Sequence, residues 1–169
     1  RAALRTLPPR TRLMLHLLVG MPGAGKTTVA QQIVEETGAL HLDPDVWLMA
    51  LGLPPAGPRD RFEELMFDLT LDLVRRGVSV VIETGGWIRA HREAKRRAVQ
   101  AIGVPVELHV LDVPLEERWR RIARRNEVPG AVHISRAELE AWEERWEPVT
   151  AEEQASYDAV VVHAVASTA

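Results

Sequence analysis

The residues best equipped for chemistry in this chain lie in one short stretch, Leu13-Met-Leu-His-Leu-Leu-Val-Gly20-Met-Pro22-Gly23-Ala24-Gly25-Lys26-Thr27-Thr28. An apolar run that reads as a buried strand stops at Gly20, and a glycine-rich loop, Lys-Thr and a helical pattern follow. The spacing is Gly-x-x-x-x-Gly-Lys-[Ser/Thr], in the strand–loop–helix context that gives the pattern its meaning. Gly20, Gly23 and Gly25 free the backbone to aim successive N–H groups at phosphate oxygens. A helix opening at about Gly25 adds the positive end of its dipole. Lys26 is then placed to reach β- and γ-phosphates, and the Thr27 hydroxyl to ligate Mg²⁺. Composition agrees. Of 21 basic residues only two, Lys26 and Lys95, are lysine, and one occupies the position that calls for a compact ammonium.

Several other residues fall where such a loop would need them. In an open parallel sheet, ligands bind beyond the carboxyl ends of the strands, so the residues closing each strand come first. His41-Leu42-Asp43-Pro44-Asp45 closes the second strand candidate and Glu83-Thr84-Gly85-Gly86-Trp87 the third. Asp43-Pro44 reads as a helix N-cap with proline at the first helical position, which leaves Asp45 freer to take or orient the proton of an attacking hydroxyl. Asp43 is equally a cap or a substrate contact. Glu83 stands where an acid holds Mg²⁺ and is equally open to a capping or substrate role. Gly86 would let backbone approach a ligand or simply turn, and Trp87 would wall an acceptor pocket or pack. In the helix at 114–126, Leu115, Trp119 and Ile122 form the apolar stripe. Arg118, Arg121 and Arg125 flank it, and Arg121 and Arg125 are placed to swing over phosphates and stabilise transferred charge. Arg92, on a second basic flank with Arg89 and Arg96, is the candidate for acceptor contact. The six histidines show no paired metal-ligand spacing, and ordinary roles are expected for all of them.

The elements that must position these groups follow from periodicity. Strand candidates at 13–19, 39–43, 78–83, 104–111 and 159–163 alternate with helices at about 25–37, 44–51, 60–76, 89–102, 114–126 and 135–147. That alternation predicts an α/β fold, a five-stranded parallel sheet covered by helices on both faces. Phe62, Leu65, Met66, Leu69 and Leu73 are expected to bury one face of the third helix, and Leu139, Trp142 and Trp146 one stripe of the last, which opens on the capping box Ser135–Glu138. Residues 1–12 read as a loosely ordered lead-in, 13–169 as one domain, 52–58 as a breaker-rich loop, and 125–135 as a short mobile cover.

At 169 residues, 46% hydrophobic and 27% charged, the chain fits one soluble globular domain. It has no apolar run of membrane-spanning length and no signal-peptide core. The absence of cysteine excludes disulfides and thiolate metal sites. A net charge of −3 argues against a dedicated nucleic-acid partner. Lack of a signal together with use of ATP favours the cytoplasm. Oligomeric state is not written in the sequence.

With these residues in place, the chain resembles the small P-loop kinases of the group containing chloramphenicol phosphotransferase, zeta toxin and the polynucleotide kinases. The resemblance spans about 13–163. It rests on Gly20–Thr28, Leu42-Asp-Pro-Asp45-Val-Trp-Leu48, Val80-Val-Ile-Glu83 with Trp87 and Arg92, and Leu111-Asp-Val-Pro114 with Trp119-Arg120-Arg121 and Arg125-Asn126. A second likeness joins Asp43-x-Asp45, Arg59-Asp-Arg61-Phe-Glu-Glu64 and Thr84-Gly85-Gly86 to shikimate and gluconate kinases, with Trp87 replacing the third glycine usual in shikimate kinases. The resemblance implies a P-loop NTPase, kinase-like three-layer αβα sandwich, ATP as donor with Mg²⁺, Asp45 near the acceptor, and Arg121 and Arg125 in the lid. Its expected reaction is phosphorylation of a hydroxyl on a sugar, nucleoside-like compound or antibiotic, in the last case by a resistance enzyme. A polynucleotide 5′-hydroxyl kinase and a nucleotide-binding module without kinase activity are the alternatives. A GTPase is disfavoured by the absence of Asn-Lys-x-Asp. A motor ATPase is disfavoured by the short chain, and an adenylate kinase by the short segment after Arg125.

Overall fold

A computed structural model describes residues 12–53, 59–84 and 86–163. The lead-in up to residue 11, the 54–58 part of the breaker-rich loop and Gly85 lie outside them. The chain runs β1 (Leu15–Val19), α1 (Lys26–Thr37), β2 (Leu40–Leu42), α2 (Pro44–Ala50), α3 (Arg59–Arg75), β3 (Val80–Glu83), α4 (Arg89–Gln100), β4 (Val106–Val110), α5 (Leu115–Asn126), α6 (Arg136–Glu143), α7 (Ala151–Gln154) and β5 (Ala159–Val162). The five strands form one all-parallel sheet in the order β2-β3-β1-β4-β5. β1 and β3 are buried at every position, as the near-continuous apolar runs of a two-sided parallel sheet require.

Alternation along the strands divides the core between the two faces. Leu15, Leu17, Val19, Val80, Ile82, Val106 and Leu108 pack with Met66, Val74, Val99 and Tyr157 on the face covered by α3 and α4. Leu18, Val81 and Leu111 pack with Ala30 and Ile33 of α1 on the other. The chain leaves β1 for the far edge, returns to β3, and then crosses β1 to reach β4. The carboxyl end of β1 therefore sits at the switch point where open α/β sheets bind ligands. No described helix is long and apolar enough to cross a membrane.

Four details depart from the periodic reading. The α3 face that enters the core runs through Met66, Thr70 and Val74, while Leu65 is 52% and Leu69 37% exposed; the Thr70 hydroxyl is tolerated because it donates to the Met66 carbonyl at 2.9 Å. α6 ends at Glu143, so Trp146 leaves the stripe of Leu139 and Trp142, and its ring instead faces the Arg92 guanidinium at 5.8 Å. The one-turn helix α7, capped by the Thr150 side chain, was not foreseen. Arg118, expected on an open flank, is 1% exposed: its Nε donates to the Val113 carbonyl at 2.8 Å, and it pairs with Glu143, joining α5 to α6.

Candidate active site

The loop after β1 is shaped by what surrounds it. A Cβ at Gly20 would stand 2.8 Å from the Leu111 carbonyl oxygen, and one at Gly23 2.8 Å from the Arg118 carbonyl oxygen, so neighbouring backbone forbids larger residues. Gly23 and Gly25 have φ of 80° and 97°, in the left-handed region. The loop tightens where the Ala24 N–H donates to the Met21 carbonyl at 3.1 Å. Gly25 caps α1 without a side chain, and no acidic residue occupies the first turn. The N–H groups of Lys26, Thr27 and Thr28 precede the bond from Val29 to the Gly25 carbonyl (3.2 Å), and so stand at the helix's positive end. Lys26 Nζ donates to the Gly20 and Met21 carbonyls at 2.9 and 3.4 Å, arching over the loop. Desolvation lowers its pKa, opposed by the carboxylates of Glu83, Asp45 and Asp43.

Register brings the acids to this loop. Leu18 pairs with Glu83, and Leu42 with Ile82, so Glu83 ends β3 level with the last turns of β1 and β2. Glu83 Oε2 accepts from Thr27 Oγ1 at 3.2 Å, and Oε1 lies 2.8 Å from His41 Nε2. The hydrogen bond to Glu83 raises the His41 pKa against the effect of burial. Burial and the charge of Glu83 push Asp43 up as well. His41, Asp43 and Glu83 together offer ligand atoms within 4.8 Å of one another. The Thr27 hydroxyl and Glu83 carboxylate are hard oxygen donors suited to Mg²⁺, and His41 fixes the carboxylate from behind.

Asp43 is the cap of α2: its Oδ1 accepts the Asp45 N–H at 2.9 Å. Asp45 is exposed, and Arg59 Nη1 holds its Oδ1 at 2.5 Å while Arg59 Nε holds Glu63 at 2.9 Å. Burial disfavours the Arg59 charge, but these two carboxylates outweigh it and raise its pKa. In the sequence Arg59 stands out only as part of Arg59-Asp-Arg61-Phe-Glu-Glu64, the segment similar to shikimate and gluconate kinases. The signal for a site role was its spacing to Glu63, which aims the guanidinium along the α3 surface.

On the opposite flank, Arg121 Nη1 donates to the Ala24 and Gly23 carbonyls at 3.2 and 3.4 Å, and Nε is steadied by Glu117 at 2.7 Å. Arg125 is exposed and makes no ion pair among the described residues. The 127–134 connection beyond it is pinned by Asn126, whose side chain donates to the Ile134 carbonyl at 2.8 Å and accepts its N–H at 3.2 Å.

Arg92 requires a correction. It is 1% exposed and makes a two-pronged pair with Glu153, Nε to Oε1 and Nη2 to Oε2 at 2.7 Å each. Nη1 donates to the Gly86 carbonyl at 2.7 Å and the Trp87 carbonyl at 3.2 Å. Every prong is occupied by protein, so Arg92 positions the segment after β3 rather than touching an acceptor. Gly86 is needed there: its φ is +62° and a Cβ would meet Val19 Cγ1 at 2.6 Å. Trp87 packs 5.8 Å from the Trp142 ring, with the Arg145 guanidinium over its face at 5.5 Å. The Trp87 indole N–H and the Thr84 hydroxyl are buried without a hydrogen-bond partner among the described residues.

A family model described as an AAA domain matches residues 15–149. The chain belongs to this AAA domain family. Three solved structures show how far its fold extends. A structure of the Pnkp1/Rnl/Hen1 RNA repair complex matches at 19% identity with a TM-score of 0.67, covering 89% of this chain and 48% of that one. This chain thus spans about half of that relative's length. Kti12 from Chaetomium thermophilum, in complex with ADP-AlF3, matches at 18% identity and a TM-score of 0.67, covering 89% and 88%. A sugar kinase from Janibacter sp. HTCC2649, unliganded, matches at 22% identity and a TM-score of 0.62, covering 90% and 84%. No match was found among the curated proteins. The family and these neighbours bear out the small P-loop kinase resemblance and a P-loop kinase-like fold, and membership implies nucleotide binding.

Proposed function

We propose that the protein is an ATP-dependent phosphotransferase that moves the γ-phosphoryl group to a hydroxyl of a small molecule. The carrying observation is that Lys26 arches over the glycine loop, Thr27 beside it is joined to Glu83 at the end of β3, and Asp45 opens the helix that follows the neighbouring strand β2. The glycine loop amides and Lys26 cradle the phosphates. Thr27 and Glu83 would hold Mg²⁺, which would supply neutralising charge for the phosphate oxygens. Arg121 lies at the loop's outer rim, where it can turn from the Gly23 and Ala24 carbonyls to the transferred group. Asp45, freed from Arg59 by the acceptor, orients the attacking hydroxyl and receives its proton. The unpartnered Thr84 hydroxyl and Trp87 N–H support an acceptor pocket between β3 and α6, because buried polar groups without partners are costly.

The experiment is a mass-spectrometric screen for phosphorylated product over sugars, nucleosides, hydroxylated antibiotics and 5′-hydroxyl oligonucleotides, with Mg²⁺ and ATP. Asp45→Asn should lower turnover by about 10²–10⁴-fold while ATP affinity holds. Product on an oligonucleotide alone, with a steep loss of affinity in salt, would assign a polynucleotide acceptor instead. ATP binding without any transfer would leave a nucleotide-binding module, as the Kti12 likeness allows.

A further inference from the structure

A second cluster of ligating side chains lies on the same face of the sheet, towards β4 and β5. Glu107 and His109 are two apart on β4 and so share a face, and His16 of β1 is in register with Glu107. His163 follows β5 directly. His16 Nδ1 lies 2.8 Å from Glu107 Oε2, His109 Nε2 lies 3.0 Å from the same oxygen, and the two nitrogens are 3.3 Å apart. His109 Nδ1 lies 3.1 Å from His163 Nε2. His16 is 5% and His109 4% exposed, and apart from Glu107 every other position of β1 and β4 is Leu or Val.

This triangle is slightly smaller than a metal site. Zinc bonds of about 2.0–2.2 Å to nitrogen and oxygen, set tetrahedrally, place neighbouring ligand atoms roughly 3.3–3.5 Å apart. The three observed edges of 2.8, 3.0 and 3.3 Å fall within about half an ångström of that spacing, so modest side-chain motion would complete it. We infer that His16, Glu107 and His109 form a binding site for a divalent transition cation of the zinc class, with His163 as the outer partner of His109.

Two imidazoles and one carboxylate suit such an ion better than Mg²⁺, which distinguishes this site from the oxygen donors Thr27 and Glu83. Without metal, Glu107 Oε2 can accept from both rings. On uptake, the ligating nitrogens present lone pairs and their protons shift to the far ring nitrogens. His109 Nδ1–H then donates to His163, the arrangement that fixes a metal-bound imidazole. Glu107 retains a fifth of its side-chain exposure, so the carboxylate side of the cluster meets solvent. The bound ion would fasten β1, whose end carries the phosphate loop, to β4. The sequence signal for this cluster is the strand spacing Glu107-x-His109, which pairs a carboxylate with a histidine on one face of β4.

The test is titration of tag-free, chelator-treated protein with Co²⁺, read by visible absorption, followed by Zn²⁺ competition and elemental analysis. The expected result is one equivalent per chain, with intense tetrahedral Co²⁺ bands that Zn²⁺ abolishes. Glu107→Gln and His163→Gln should each weaken uptake by about 10-fold or more, whereas Glu83→Gln should leave it unchanged. If Glu107→Gln fails to fold, weakened uptake in His163→Gln beside full uptake in Glu83→Gln still separates this cluster from that of His41, Asp43 and Glu83. Absence of stoichiometric uptake by wild type would overturn the inference, as would uptake lost in Glu83→Gln but kept in Glu107→Gln.

Discussion

Glu153→Gln should be among the most damaging single substitutions in this protein, although it lies outside the phosphate loop. Both partners of the Arg92–Glu153 pair have side chains with 0% exposure, and two parallel hydrogen bonds of 2.7 Å join them. Replacing the carboxylate with an amide leaves a buried guanidinium without its counter-charge, which costs about 3–5 kcal/mol. At roughly 2–4 °C per kcal/mol for a domain of this size, the melting temperature should fall by roughly 6–20 °C. Urea unfolding followed by tryptophan fluorescence measures the loss, with calorimetry as a second probe. Asp72→Asn, which removes an exposed pair with Arg75, is the control and should change stability by under about 1 kcal/mol. The double variant Arg92→Met/Glu153→Met should recover part of the loss, since apolar replacements of a buried pair are often tolerated. Recovery should be incomplete, because the Gly86 and Trp87 carbonyls lose their donor. A loss below about 1 kcal/mol for Glu153→Gln, the scale of a surface pair, would refute the assignment of Arg92 as a buried positioning residue.

Three further outcomes follow from the site. Gly86→Ala combines a left-handed backbone with a 2.6 Å approach to Val19 and should cost about 2 kcal/mol or more in urea unfolding; a neutral result would contradict the tight turn after β3. His41 should titrate by NMR above its ordinary value of about 6.5, and below it in Glu83→Gln, where burial acts without the carboxylate. Because its folded pKa is raised, the stability it contributes is complete below about pH 6.5 and fades as pH climbs through the folded value; an unchanged midpoint in Glu83→Gln would break the assignment. Once an acceptor is found, Arg121→Ala should lower kcat by about 10²–10³-fold with little effect on ATP affinity, and Arg125→Ala should do less, since only Arg121 reaches the loop; equal effects would place both in one moving lid.

The parts of the site legible in the sequence were those whose geometry is local. Gly20–Thr28 is a turn and a helix start, and spacing alone sets which amides converge. All five strands and their parallel sense were readable, β1 and β3 because two-sided burial demands apolar runs and the rest from their alternation with helices, whereas the order of the strands in the sheet was not. Most boundaries moved by a residue or two, as at Leu15, but the last helix stops at Glu143, four residues short of its expected end. What stayed hidden depended on partners far along the chain. Arg92 looked like an open flank because its acid, Glu153, sits on the unforeseen turn of α7. Arg118 looked free because Glu143 closes over it from α6. Leu65 and Leu69 fit a helical stripe, yet the sheet meets α3 through Met66, Thr70 and Val74. Such choices are made by packing between elements, which periodicity within one element does not encode.

The central claim is that the glycine loop and Lys26 bind a nucleoside triphosphate with Mg²⁺. Isothermal calorimetry of the chain with ATP and Mg²⁺ tests it most directly. One ATP per chain should bind, and Lys26→Ala should weaken that binding by about 10- to 100-fold through loss of charge-assisted hydrogen bonds. A flat titration of the wild-type chain, or an affinity that Lys26→Ala leaves unchanged, would contradict it.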